Sequence, residues 1–219
     1  MQSVRYGAWL VDAAGTLMTL REPAGLTYAR IGADYGVSRT PALIERDFRR
    51  ALRAPWAGRR YDGDGRPFWR FVVGRATGCT DPEYFEAVYA AFGPGAWVLA
   101  AGALECIDQV RSSGVRVAVV SNWDHRLRSL LSTLGILEQV DLAVISSEVR
   151  LEKPDPRIFG LATRRLGVEP RFTVHVGDSR ADDIVCARTA GCDAWQYGRD
   201  VRSFAEIADR ILSENGARS

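Results

Sequence analysis

Lysine is almost absent from this chain. Among 29 basic residues only Lys153 is a lysine, and every other is an arginine. A lone ammonium amid so strong a bias hints at a position that wants a compact point charge rather than a planar fork. Cysteine is scarce as well. Cys79, Cys106, Cys186 and Cys192 form no C-x-x-C pair and no disulfide-like cluster, so reduced thiols in a cytoplasmic protein are expected. No apolar run approaches about eighteen residues, which excludes a helical membrane span. The first residues carry Arg5 and a polar turn, without an apolar leader region or cleavage site, so no secretory signal is expected. Basic residues never gather into a block: the doublets Arg49-Arg50, Arg59-Arg60 and Arg164-Arg165 are scattered and the net charge is only +2. Nucleic acid is therefore not an expected partner. Internal repeats and low-complexity tracts are missing too.

What is present is ordinary in bulk. The chain has 219 residues, 47% apolar and 26% charged, enough for one large or two modest globular domains. The informative stretch runs from Gly7 to Leu20, GAWLVDAAGTLMTL. Trp9, Leu10 and Val11 form a short apolar run that ends on Asp12. Such a run fits a strand buried on both faces of a parallel sheet. These sheets place their chemistry just beyond the carboxyl ends of the strands. A carboxylate there costs desolvation energy unless a cation answers it. The small residues after it let a ligand approach the backbone closely.

Residues 24–95 then change character and read as helices. The segments are 24–35, a helix opened by Thr40-Pro41, then 67–77, and 82–92 capped by Asp81. A loop rich in Gly, Asp and Arg spans 54–66. From Trp97 the pattern alternates: helix 101–112, strand 115–120, helix 124–134, strand 142–146, helix 156–166 with Asp155 as N-cap, strand 172–176, helix 180–190, strand 194–197 and helix 201–212, with a frayed tail after Ser213. Alternation of this kind predicts an α/β fold, a Rossmann-like parallel sheet with helices on both faces. The expected domains are a core of 1–20 with 96–219 and an inserted helical module of 21–95.

Each expected strand ends on chemistry: Asp12, Ser121-Asn122, the loop holding Lys153, and Gly177-Asp178-Ser179 followed by Asp182 and Asp183. Parallel strands bring these ends to one edge. Asp12, Asp178 and Asp183 concentrate negative charge that a hard divalent cation would relieve, and Mg²⁺ suits a few carboxylates plus a substrate phosphate. Ser121, Asn122, Lys153 and the backbone N–H groups of the 13–16 turn, Gly15 and Thr16 among them, would supply donors around a phosphoryl group. Asp12 is then placed to attack phosphorus and form an aspartyl phosphate.

The ordered set DAAGTL at 12–17, SN at 121–122, KP at 153–154 and GDSRADD at 177–183 resembles the haloacid dehalogenase superfamily of hydrolases, in its phosphatase-type branch with a helical cap. The likeness covers essentially the whole chain. A closer likeness, resting on DAAGTL and SNWDHRL, is to the subgroup typified by rhythmically expressed gene 2 protein and haloacid dehalogenase-like hydrolase domain-containing protein 3. The resemblance implies Asp12 as nucleophile, Ser121 and Lys153 as phosphate ligands, and Asp178 with Asp183 as Mg²⁺ ligands. Phosphatases of this family read D-x-D in the first motif, and the second Asp is their general acid and base. Here that residue is Ala14. Its carbonyl can still bind a metal, but its side chain can move no proton.

Three alternatives follow from that departure. Phosphonoacetaldehyde hydrolases also have Ala there but need a cap lysine, and 24–95 contains none. Haloacid dehalogenases lack the second Asp and work without metal, and that reading stays open. So does a phosphate-binding protein with little or no catalysis. The expected partner is a small phosphorylated molecule, with no membrane. Among the remaining polar residues, Asp182 reads as the end of a capping box begun by Ser179. His125 reads as a surface residue at a helix start, with substitute acid as its sharper reading. His175 reads as a satisfied core histidine, and Arg53, Trp56, Arg59 and Arg60 as a solvated loop. Cys186 and Cys192 read as core thiols.

Overall fold

The computed structural model describes residues 5–216. Its strands are β1 (Ala8–Val11), β2 (Met18–Leu20), β3 (Trp97–Leu99), β4 (Arg116–Ser121), β5 (Leu142–Ile145), β6 (Thr173–Gly177) and β7 (Asp193–Gln196). Five of them form one sheet in the order β5-β4-β1-β6-β7, with every neighbouring pair parallel. β2 and β3 pair with each other in a separate two-stranded sheet. The segment after Thr16 therefore finds its partner far along the chain rather than in a local hairpin.

The chain divides into two compact units, 20–98 and 1–19 with 99–219. The first is helical: α1 (Ala24–Gly32), α2 (Pro41–Leu52), α3 (Arg66–Thr77) and α4 (Pro82–Ala91). The Thr40 side chain accepts from the Leu43 N–H with Pro41 at the first helical position, and Asp81 accepts from Glu83 and Tyr84 N–H. These side chains satisfy amides that a helix start leaves without partners. α1 and α2 cross closely because Gly25 has no side chain: a Cβ there would lie 2.3 Å from the Pro41 carbonyl oxygen. Tyr28, Ile44, Val73, Tyr84 and Phe85 fill the core of this unit. Trp56 is no solvated loop residue. It packs its ring on Phe68 and Phe71, with centroids 5.5 and 5.3 Å away.

The second unit adds α5 (Ala103–Ser112), α6 (Arg126–Thr133), α7 (Ser146–Val149), α8 (Arg157–Leu166), α9 (Cys186–Thr189) and α10 (Phe204–Gly216). β1 is buried on both faces. Trp9 packs toward Phe204 of α10, while its neighbour Leu10 lies in a cluster with Ile158, Phe159 and Ala162 of α8. The pleat sends successive side chains to opposite faces, so helices cover both sides of the sheet.

Several boundaries differ from the sequence reading. α8 starts one residue later than expected, although the Asp155 carboxylate still accepts from the Arg157 N–H at 3.0 Å. The expected helix 180–190 is two pieces, a π-helical turn Arg180–Val185 and the short α9. α10 continues to Gly216, where a frayed tail was expected. β3 and α7 had no clear sequence signal. Cys186 and Cys192 lie in the α8 cluster as read, with burial pushing each thiol up to about 12.

Candidate active site

The carboxyl ends of β1, β4 and β6 carry Asp12, Ser121 and Gly177-Asp178. β1 lies between the other two, with Val11 opposite Val119 and Val176. The Asp12 N–H donates to the Val176 carbonyl at 2.9 Å, which extends the β1–β6 pairing by one residue and fixes Asp12 at the sheet edge. Lys153 arrives from the β5–α8 connection, its peptide to Pro154 in the cis form.

The Lys153 ammonium is the hub. It is 3% exposed, and it donates to Asp12 Oδ1 at 2.8 Å, Asp183 Oδ1 at 2.5 Å and the Val120 carbonyl at 3.3 Å. An ammonium has three protons, and here all three have acceptors. Burial alone would make Lys153 lose its charge, but the two carboxylates hold it protonated and raise its pKa. Asp183 is buried as well. Burial would raise its pKa, yet Lys153 and His175 overcome that and hold it well below the ordinary carboxylate range. Asp12 shares the same cation, and there burial prevails and pushes its pKa up. One lysine does not neutralise both.

Asp178 is the open member of the group. Desolvation, then the charges of Asp12 and Asp183, push its carboxyl up to about 6. One carboxylate oxygen from each of Asp12, Asp178 and Asp183 lies within 4.8 Å of the others. With Lys153 counted, three carboxylates face one ammonium, leaving two uncompensated negative charges. Hard oxygen donors with that charge suit a divalent cation such as Mg²⁺. The Ala14 carbonyl has no hydrogen-bond donor among the described residues, so it too is available to a cation.

Glycines make room for this arrangement. Gly15 has φ +81°, and a Cβ there would meet Asp178 Oδ2 at 2.7 Å. At Gly177 a Cβ would meet Asp183 Cγ at 2.3 Å. Asp183 reaches back under the strand end because of the π-helical turn. Both its own N–H and that of Ile184 donate to the Ser179 carbonyl. The capping box is real but shifted. Ser179 Oγ accepts from the Asp182 N–H at 3.2 Å, while the returning bond to the Ser179 N–H, 2.9 Å, comes from Asp183 instead of Asp182.

Several expected phosphate donors are used elsewhere. Asn122 is one: its Oδ1 accepts from the Lys153 N–H at 2.7 Å and its Nδ2 donates to the Lys153 carbonyl at 2.8 Å. Its carboxamide thus holds the lysine loop against β4. In the 13–16 turn, the Gly15 N–H donates to the Met18 carbonyl and the Thr16 N–H to that of Ala13. The N–H groups of Ala13 and Ala14 have no acceptor among the described residues. They are the free donors of that turn. Among the described residues the buried Thr16 hydroxyl has no hydrogen-bond partner, and neither has the Ser121 hydroxyl.

His175 is not the satisfied core residue expected from the sequence. It is fully buried, its Nε2 lies 3.1 Å from Asp183 Oδ1, and its Nδ1 has no partner. A period-2 reading of TVHVG placed it in the strand but gave no sign of what it faces. His125 lies exposed at the N-cap of α6.

A parallel sheet whose strand ends gather a buried lysine and three carboxylates defines an α/β protein with a charged site at the sheet edge. The haloacid dehalogenase-like hydrolase family model matches residues 8–191, and the chain belongs to that family. Haloacid dehalogenase-like hydrolase domain-containing protein 3 of Mus musculus is 36% identical over 217 residues, covering 93% of this chain and 86% of that protein. Rhythmically expressed gene 2 protein of Drosophila melanogaster is 26% identical over 91% of this chain and 87% of its own length. The crystal structure of a HAD phosphatase from Thermococcus onnurineus superposes with a TM-score of 0.70 at 23% identity, covering 95% of this chain and 99% of that one. Identity that low speaks for the fold alone, and dehalogenases are among the matching structures as well. The chain is a hydrolase. Among the described residues no helix is long and apolar enough to cross a membrane.

Proposed function

We propose that the protein is a Mg²⁺-dependent phosphohydrolase acting on a small phosphorylated molecule through an aspartyl phosphate at Asp12. The observation that carries this reading is the charge imbalance at the sheet edge: Asp12, Asp178 and Asp183 within 4.8 Å of one another and a single compensating lysine. Asp12, Asp178, Asp183 and the Ala14 carbonyl would hold the ion. When bound, it would offset the repulsion between an anionic nucleophile and an anionic substrate.

The chain's own residues supply the rest. Lys153 grips Asp12 Oδ1 and leaves Oδ2 for attack on phosphorus. The P–O bond to the leaving group breaks, and its electron pair departs on the leaving oxygen. Ser121 and the Ala13 and Ala14 N–H groups would donate to the phosphoryl oxygens. Water then attacks the aspartyl phosphate, the P–O bond to Asp12 breaks, and inorganic phosphate leaves.

Ala14 limits the rate. No side chain at that position can protonate the leaving oxygen or take a proton from water. A positioned acid–base group is worth about 10²–10⁴ in rate, or roughly 3–5 kcal/mol. The enzyme is thus suited to leaving groups that depart without a proton, such as acyl and aryl phosphates, and slow on alkyl phosphates.

A phosphatase screen with and without Mg²⁺, on the native protein and on Asp12→Asn, tests this. Mg²⁺-dependent turnover abolished by Asp12→Asn is expected, with Ala14→Asp raising turnover of alkyl phosphates. Phosphate binding without turnover would leave a binding protein in its place. Halide release from a 2-haloacid without metal would make it a dehalogenase.

A further inference from the structure

We propose that His175 is a positioning residue whose buried Nε2 donates to the Asp183 carboxylate and fixes it within the cation site. The proposal rests on the cation-site reading of Asp183 given above.

An imidazole at this place has no packing reason. His175 stands opposite Leu10 on β1 and Ala194 on β7, among the apolar side chains under α8. The Phe159 ring lies edge-on to it, 4.7 Å between centroids. Burying polar nitrogens there costs free energy unless they are paired, and a valine or leucine would fill the layer. One nitrogen has a purpose: Nε2, 3.1 Å from Asp183 Oδ1. The other, Nδ1, is buried with no partner among the described residues. A proton on Nδ1 would be a buried donor without an acceptor, whereas a proton on Nε2 meets the Asp183 carboxylate.

The consequence falls on Asp183. Its Oδ1 receives the Lys153 ammonium and His175 Nε2, and its Oδ2 receives the Ser179 N–H. A carboxylate offers about four lone-pair sites, and three are filled, all by groups on rigid backbone. Rotating the carboxylate would break all three bonds together.

The first test uses the metal-free native protein. Nitrogen NMR is expected to show a proton on His175 Nε2, held against exchange by the Asp183 carboxylate. Only His125 shares the histidine spectrum, and His125→Gln assigns the signals. A ring with no proton on Nε2 overturns the proposal. The second test is calorimetric titration with Mg²⁺. His175→Phe keeps the ring against Phe159 but loses the donor, and is expected to bind Mg²⁺ about 10–100-fold more weakly, as partners of metal ligands typically do. His175→Gln, whose amide nitrogen can occupy the Nε2 position, is expected to recover most of that loss. Native-like affinity in His175→Phe overturns the proposal. Should that variant not fold, His175→Gln decides: affinity as weak as a lost donor would give refutes the role. If the native protein binds no Mg²⁺, the cation-site reading fails, and the NMR result still judges the Nε2 hydrogen bond by itself.

Discussion

Gly177→Ala isolates the closest contact in the site. Gly177 ends β6, and it is not among the glycines with positive φ, so alanine meets no backbone objection there. On general grounds a compatible Gly→Ala change stabilises by about 0.4–1 kcal/mol through the unfolded chain. The site predicts the opposite sign. A Cβ at 177 would lie 2.3 Å from Asp183 Cγ and 2.4 Å from its Oδ2, well inside van der Waals contact. Asp183 has nowhere to retreat without leaving Lys153, His175 and the Ser179 N–H. Overpacking costs about 1–3 kcal/mol, and each hydrogen bond to a charged group that is lost costs about 1.5–3 kcal/mol. Even with the unfolded-state gain subtracted, a net loss of about 2–4 kcal/mol is expected. For a chain of this size that lowers the melting temperature by about 4–16 °C. Urea and thermal melts of the metal-free protein measure it, and Mg²⁺ titration should show weaker binding in the same variant. A Gly177→Ala protein as stable as the native one, with unchanged Mg²⁺ affinity, would refute the packing account of Asp183.

Lys153→Met should lower stability by about 3–5 kcal/mol, the cost of leaving buried carboxylates without their cation, and Lys153→Arg should not restore it, because a planar guanidinium cannot place protons on Asp12, Asp183 and the Val120 carbonyl from one point; denaturant melts of both variants check this, and full rescue by arginine would contradict it. The pH dependence of metal protection should follow Asp178. Its raised value, about 6, means the metal-free native state takes up a proton that the unfolded chain releases near 4, so this group disfavours folding as pH rises through 4 to 6. A divalent cation competes with that proton, so the melting temperature should gain more from Mg²⁺ at pH 7.5 than at pH 5, and an equal gain at both would count against the site.

The parts of the fold that the sequence displayed were those set by local pattern. Trp9, Leu10 and Val11 before Asp12 marked β1, and Thr40-Pro41 and Asp81 marked helix starts that their side chains do cap. The strand ends were legible for the same reason: polar residues stood where apolar runs stopped, and parallel topology does the gathering. What stayed hidden depends on partners distant in sequence. Asn122 carries an amide that suits a phosphate equally well, and only the fold reveals that Lys153, 31 residues on, occupies both its ends. His175 has the same opacity, since alternation along β6 says which face it takes but not that Asp183 lies beneath it. The π-helical turn at Arg180–Val185 is invisible to a 3.6-residue period, which is why Asp183 and not Asp182 completes the capping box.

The solitary Lys153 also gives the molecule a built-in reporter. Amine-reactive reagents have a single side-chain target in this sequence, and it is sealed beneath the strand ends. Apart from the terminal amine, acylation counted by intact mass would therefore register nothing while the native structure holds. Each added group would time one opening of this sheet edge, in a mixture and without any engineered probe.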